Sequence, residues 1–170
     1  MGGEPRMQHD RPRSAGPTLS LIVPAYNEEA RMGPTLERLA EYFATQPYTW
    51  SVTVVSDGST DATNQIVSVV AESHKEFSLL AYQPNRGKGY AVRKGMLEVP
   101  GELILFSDAD LAAPIKEVEK LLPALKMGAA IAIGSRPLKE SNLEIRQPWY
   151  REMMGRAFNK AVQMLAVKGL

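Results

Sequence analysis

Residues 103–110 read Leu-Ile-Leu-Phe-Ser-Asp-Ala-Asp. Four consecutive apolar residues are followed by two carboxylates one residue apart. A run this short and continuously apolar is a strand covered on both faces, as in parallel sheets flanked by helices. Asp108 and Asp110 then stand where the chain leaves the core. Outward from this stretch, short apolar runs alternate with helical patterns. Strands are expected at Leu19–Val23, Trp50–Ser56, Phe77–Tyr82 and Ala130–Ile133. Helices are expected over Pro34–Phe43, Asp61–His74, Gly89–Glu98, Ile115–Met127 and Trp149–Val167. Pro34 suits a first helical position, and Leu36, Leu39, Ala40 and Phe43 share one face. Ser59 or Asp61 is available to cap the second helix. Pro123 is expected to bend the fourth helix, and residues 136–148 read as a loop. This alternation is the signature of βαβ units, so the fold class is α/β with a mostly parallel, Rossmann-like sheet.

Composition removes several alternatives. The 170 residues are 44% hydrophobic and 23% charged, as in a soluble globular domain. No apolar run approaches the ~18 residues of a membrane span. With no cysteine, disulfide scaffolds and thiolate metal sites are excluded. A net charge of +1 argues against nucleic acid as a partner. Residues 1–17 carry only Met1, Met7 and Ala15 as apolar side chains. Such a segment cannot offset its ordering entropy and reads as a disordered tail, leaving 18–170 as the domain.

In parallel sheets, ligands bind at the carboxyl ends of the strands. The five expected strands deliver Pro24-Ala25-Tyr26-Asn27-Glu28, Asp57-Gly58-Ser59-Thr60-Asp61, Asn85-Arg86-Gly87-Lys88-Gly89, Ser107-Asp108-Ala109-Asp110 and Gly134-Ser135-Arg136 to that edge. Asp108 and Asp110 are the candidate metal ligands. Paired carboxylates beside an apolar interior call for a cation, and hard ions such as Mg²⁺ or Mn²⁺ take one or two carboxylates plus phosphate oxygens and water. The competing reading is an acidic turn in which Asp110 caps the next helix. Residues 85–89 read as an anion-handling loop, with glycines for close approach, Arg86 and Lys88 for charge, and a helix N-terminus following. Asp57 can accept from a nucleobase N–H, or can orient its own turn while Asp61 and Thr63 serve the helix. Tyr26 and Glu28 could stack on a base and hold ribose hydroxyls. Arg136 could neutralise pyrophosphate bidentately. His9 and His74 read as solvated, and Met153 and Met154 as part of a packed helix face.

These segments, in this order, resemble family 2 glycosyltransferases of GT-A fold. The nearest likeness is to the branch that makes polyprenyl-phosphate sugars, of the dolichyl-phosphate β-glucosyltransferase and mannose synthase type. The resemblance runs from about Leu19 to the C-terminus. It implies that Pro24, Ala25, Tyr26 and Glu28 line a nucleoside pocket, that Val55 and Asp57 contact the base, and that Lys88 lies near the donor. It implies that Asp108 and Asp110 hold Mg²⁺ or Mn²⁺ against the pyrophosphate, that Ala109 packs on the nucleotide, and that Arg136 contacts donor phosphates or sugar. Asp108, Asp110 and Arg136 are thus the expected catalytic set. The expected reaction is inverting transfer of glucose or mannose from UDP-glucose or GDP-mannose to a polyprenyl phosphate. Alternatives are a soluble sugar, polysaccharide or phosphorylated small-molecule acceptor, a nucleotidyltransferase, or a non-catalytic nucleotide-sugar binder. Family members continue into a strand and loop with a Gln-Cys-Gly-Phe-Lys-like segment, so this chain is expected to be incomplete at its acceptor side. The expected location is cytoplasmic, with peripheral contact at the cytoplasmic face of a membrane as an option; Arg146, Trp149 and Tyr150 could serve a lipid phosphate there, or be a solvated loop and helix start.

Overall fold

The computed structural model describes residues 16–134. Four strands, β1 (Leu19–Ala25), β2 (Trp50–Asp57), β3 (Phe77–Tyr82) and β4 (Leu103–Phe106), form one sheet in the order β3-β2-β1-β4. Every pairing is parallel. Helices α1 (Glu29–Ala44), α2 (Thr63–Ser73) and α3 (Lys88–Glu98) make the crossovers, and α4 (Val118–Lys126) follows β4. The chain divides into two compact units after Lys120, and the whole sheet lies in the first. Of the second, the described part is the end of α4 and residues 127–134. Among the described residues no helix is long and apolar enough to cross a membrane.

The first strand is internal, and all seven of its residues are buried, which is why its sequence, Ser20 apart, is apolar without alternation. On α1, Met32, Leu36, Leu39 and Phe43 are buried on one stripe, as helical periodicity requires. Phe43 stacks on Trp50 at 5.1 Å, and Trp50 meets Phe77 edge-on at 5.7 Å. These rings fill the amino end of the sheet. A Cβ on Gly95 of α3 would stand 2.6 Å from Ile22 Cγ2 and 3.1 Å from Val55 Cγ2. The α3 backbone therefore lies directly on the strands.

The elements differ most from expectation in three places. First, α1 begins at Glu29 and carries Pro34 inside it; the partners that start it come from another loop, which local sequence does not announce. Second, residues 115–117 form a 3₁₀ turn before α4, and Pro123 lies within α4. Third, residues 130–133 are not a strand, and Ile131 and Ile133 are 80% and 79% exposed. An apolar tetrad is a strand only with a ladder partner, and this one has none among the described residues. The expected tail up to Ala15, the loop at 136–148, the helix at 149–167 and Arg136 lie outside the described residues.

Candidate active site at the carboxyl edge of the sheet

The first two strand exits are laced together. Asn27, with φ of 54°, turns the chain after β1. Its amide donates to Ser59 Oγ at 3.1 Å, and its side-chain oxygen accepts from the Thr60 amide at 2.9 Å. The Glu28 amide donates to Thr63 Oγ1 at 2.8 Å. The Glu29 amide donates to Asp61 Oδ2, and the Ala62 amide to Glu29 Oε2, both at 3.0 Å. Each helix N-terminus thus receives a carboxylate from the other loop, satisfying amides that the helix itself leaves open. Burial pushes the Asp61 carboxyl up, but hydrogen bonds from Thr63 and Glu29 outweigh it and hold the group below its ordinary value. Thr63 completes this anchoring, and the 24–28 segment is held against the 57–63 loop.

Asp57, at the end of β2, is buried and serves the third exit. Its Oδ1 accepts from Tyr82 Oη and the Arg86 amide, and its Oδ2 from the Gly87 amide, all at 2.7 Å. Asn85 Nδ2 donates to the Asp57 carbonyl at 3.0 Å. A carboxylate oxygen accepts two hydrogen bonds, so Oδ2 retains capacity toward the cleft that Asp57 lines. Burial, then the bond to Asp57, raises the Tyr82 phenol well above its ordinary range, so it stays a donor at neutral pH. Gly58 has φ of 73°, and a Cβ there would stand 2.7 Å from the Asn85 amide. Only glycine fits this approach of the second exit to the third.

At the fourth exit the chain turns tightly. The Leu111 amide donates to the Asp108 carbonyl at 3.0 Å, and the Ala112 amide to Asp110 Oδ1 at 2.9 Å. Ala109 is buried, and its carbonyl accepts from Thr35 Oγ1 of α1 at 2.6 Å. Asp108 Oδ1 is screened from solvent and has no hydrogen-bond partner. It faces a charge: Nζ of Lys88, the first residue of α3, lies 2.5 Å away without hydrogen-bond alignment.

Pro24, Ala25, Tyr26, Glu28, Asp57, Lys88, Asp108, Ala109 and Asp110 line one cleft of about 240 Å³. Val55 is not among them; it is fully buried under α3, beside Ile22 and Ala91. Three contributors escape sequence reading. Arg31 lines the cleft and pairs through Nε with Glu28 Oε2 at 2.6 Å; its i,i+3 spacing could have disclosed it. Tyr82 was legible only as the last residue of a strand. Thr35 carried no signal, because its partner is 74 residues away in sequence.

The cleft suits a hard divalent cation. A solvent-screened carboxylate oxygen already faces a cationic group, and Asp110 lies two residues on. No cluster of three or more His, Cys, Asp or Glu exists among the described residues. Mg²⁺ and Mn²⁺ sites built on one or two carboxylates plus phosphate oxygens and water need none.

Comparison with known proteins follows the same lines. The chain is 36% identical over 164 residues to a dolichyl-phosphate beta-glucosyltransferase of Trichomonas vaginalis, covering 89% of this chain and 50% of that protein. It is 38% identical over 165 residues to a dolichyl-phosphate beta-glucosyltransferase of Drosophila melanogaster, covering 89% and 51%. It spans about half the length of these curated relatives. A solved mannosyltransferase of Pyrobaculum calidifontis, in complex with GDP-Man and Mn²⁺, is similar with a TM-score of 0.52 and 29% identity, over 63% of this chain and 31% of that one. The glycosyl transferase family 2 model matches residues 20–166. The chain therefore belongs to glycosyl transferase family 2, on a GT-A-like parallel sheet.

Proposed function

We propose that this chain carries the donor site of an inverting, metal-dependent glycosyltransferase that moves a hexose from a nucleotide sugar to a polyprenyl phosphate of the dolichyl type. The observation that carries the reading is the meeting of Asp57, Lys88, Asp108 and Asp110 in one cleft. The names of the relatives, dolichyl-phosphate beta-glucosyltransferases, support the acceptor. The GDP-Man and Mn²⁺ bound by the similar mannosyltransferase support a nucleotide-sugar donor and a divalent ion.

In this reading Tyr26 stacks on the base, and the spare acceptor capacity of Asp57 Oδ2 takes a base N–H, which suits uracil or guanine. Glu28, fixed by Arg31, accepts from ribose hydroxyls. Ala109 packs on the nucleotide. Asp108 and Asp110 hold the cation, and Mg²⁺ or Mn²⁺ supplies the charge that stabilises the leaving nucleoside diphosphate. Lys88, and Arg136 from outside the described residues, add positive charge at the diphosphate. An acceptor phosphate oxygen attacks the anomeric carbon as the bond to the nucleoside diphosphate breaks, inverting the centre. That nucleophile is ionised at neutral pH, so the reaction needs no strong general base. The enzyme meets its lipid acceptor at a membrane surface, from the cytoplasmic side.

The test is titration of UDP-glucose and of GDP-mannose with Mn²⁺ against the protein and Asp108→Asn. The variant should lose Mn²⁺-dependent donor binding; unchanged affinity would overturn the metal assignment. Labelled donor incubated with a short polyprenyl phosphate should yield a lipid-linked sugar. Transfer to a soluble sugar or phosphorylated small molecule instead would replace the acceptor assignment.

A further inference from the structure

Lys88 and Asp108 pose a problem of occupancy. Lys88 Nζ lies 2.5 Å from Asp108 Oδ1, and that oxygen has neither solvent nor a hydrogen-bond partner. A divalent ion held by the same oxygen could not share it with an ammonium group, because two cations a few ångströms apart repel strongly inside a partly screened cleft. An ion that takes Asp108 Oδ1 therefore displaces Lys88 from it.

The structure shows how it can. The lysine backbone is fixed, because Asp57 accepts from the Arg86 and Gly87 amides immediately before it. Its head is mobile by chemistry: the side chain is 59% exposed, and the ammonium is a compact charge on a flexible stem. A fixed base and a swinging head give two positions, one on Asp108 and one on an anion arriving over the N-terminus of α3.

We infer that Lys88 is an internal counter-cation that holds Asp108 Oδ1 in the donor-free protein and trades it for the donor diphosphate when the divalent ion binds. This rests on the proposed donor site and adds a regulation to it. The diphosphate brings a new partner for the displaced lysine together with further ligands for the ion. The ion and the nucleoside diphosphate therefore bind cooperatively, and the ion alone binds weakly. Lys88 opposes the ion by itself and assists the ion–diphosphate pair.

Those opposite signs make the test. Mn²⁺ is titrated against the full chain by electron paramagnetic resonance, with and without UDP or GDP, for the parent, Lys88→Gln, Lys88→Arg and Asp108→Asn. Lys88→Gln should bind Mn²⁺ alone about threefold more tightly, the size of one exposed ion pair. It should bind the nucleoside diphosphate with Mn²⁺ roughly tenfold more weakly, having lost one charge-assisted contact. Lys88→Arg, keeping the charge, should stay near the parent in both. If Lys88→Gln binds Mn²⁺ alone no better than the parent while Asp108→Asn abolishes binding, the counter-cation role is wrong and the metal site stands. If Asp108→Asn leaves Mn²⁺ binding intact, the metal site itself is wrong and this inference falls with it.

Discussion

Glu29 and Asp61 cap each other's helices. The Glu29 amide at the start of α1 donates to Asp61 Oδ2, and the Ala62 amide at the start of α2 donates to Glu29 Oε2, each at 3.0 Å. Two crossovers that are distant in sequence are thereby closed on each other at the edge where the cleft forms. Replacing Asp61 with Ala should cost about 1–2 kcal/mol, the range for a helix cap, and Glu29→Ala about 1 kcal/mol. Because the pair is reciprocal, the double variant should lose less than the sum. Urea unfolding of the four proteins measures the coupling, and strict additivity would show two independent caps.

The same pair makes stability depend on acid. The folded-state pKa of Asp61 is lowered by its hydrogen bonds, while the unfolded value is ~3.9. Its contribution is fully present above the unfolded value and is lost as pH falls through the folded one. Asp61→Asn should therefore be less stable than the parent at neutral pH, and the gap should narrow below about pH 4. Thermal unfolding of the two proteins from pH 7 to pH 3 checks this; a gap that widens in acid would contradict it.

Thr35 reaches across from α1 to hold the Ala109 carbonyl at 2.6 Å, between the two candidate metal ligands. Thr35→Val keeps the shape and removes the donor. It should cost about 1–2 kcal/mol, because a buried carbonyl is left unpaired. Mn²⁺ affinity in the presence of UDP should fall as well, since the 108–111 turn loses its anchor. A stability loss with unchanged Mn²⁺ affinity would confine Thr35 to a packing role.

Tyr82→Phe removes one of three donors from the Asp57 carboxylate while keeping the ring packed on Tyr90, 5.2 Å away. We expect a stability loss of about 1 kcal/mol and faster amide exchange at Arg86 and Gly87. Hydrogen exchange at those amides is the direct reading, and unchanged protection would show that Asp57 holds the loop without Tyr82.

Gly95→Ala would set a methyl 2.6 Å from Ile22 Cγ2. Overpacking of a core in this way costs about 1–3 kcal/mol, against the usual gain in helix propensity from Gly to Ala. A variant more stable than the parent would mean that α3 can lift from the sheet.

The parallel sheet was legible because β1, buried throughout, is apolar except at Ser20. Leu103–Phe106 is a strand as expected but is not covered on both faces: as β4 it pairs only with β1 among the described strands, its first three residues are half-buried and Phe106 is 45% exposed. The position of Asp108 and Asp110 at a strand exit was legible from the apolar run before them, and the structure brings both into one cleft, where Asp110 also closes its own turn through the Ala112 amide. The start of α1 was not legible, since its caps come from Asp61, 32 residues away at the Glu29 amide. Ala130–Ile133 misled in the opposite direction, because its side chains suit a strand but a ladder needs a second chain segment. Asp57 read as a group for a base or for its own turn, yet three acceptor positions of its carboxylate are taken by the Arg86 and Gly87 amides and by Tyr82. Composition names a carboxylate's chemistry, and only the fold says which donors have already claimed it.

The register of β1 carries a consequence for the order of assembly. Leu19 pairs with Trp50 on one side and with Leu103 on the other. The first pairing closes a short loop, and the second must wait for a far longer one, at greater entropic cost. During synthesis the wall built from residues 24–28 and 57–63 can form while β4 is still unmade. Asp108 and Asp110 arrive only with β4, the last strand of the sheet among the described residues. A nascent chain thus has one wall of the cleft before Asp108 and Asp110 reach it, and Lys88 spends that interval without the carboxylate it pairs with.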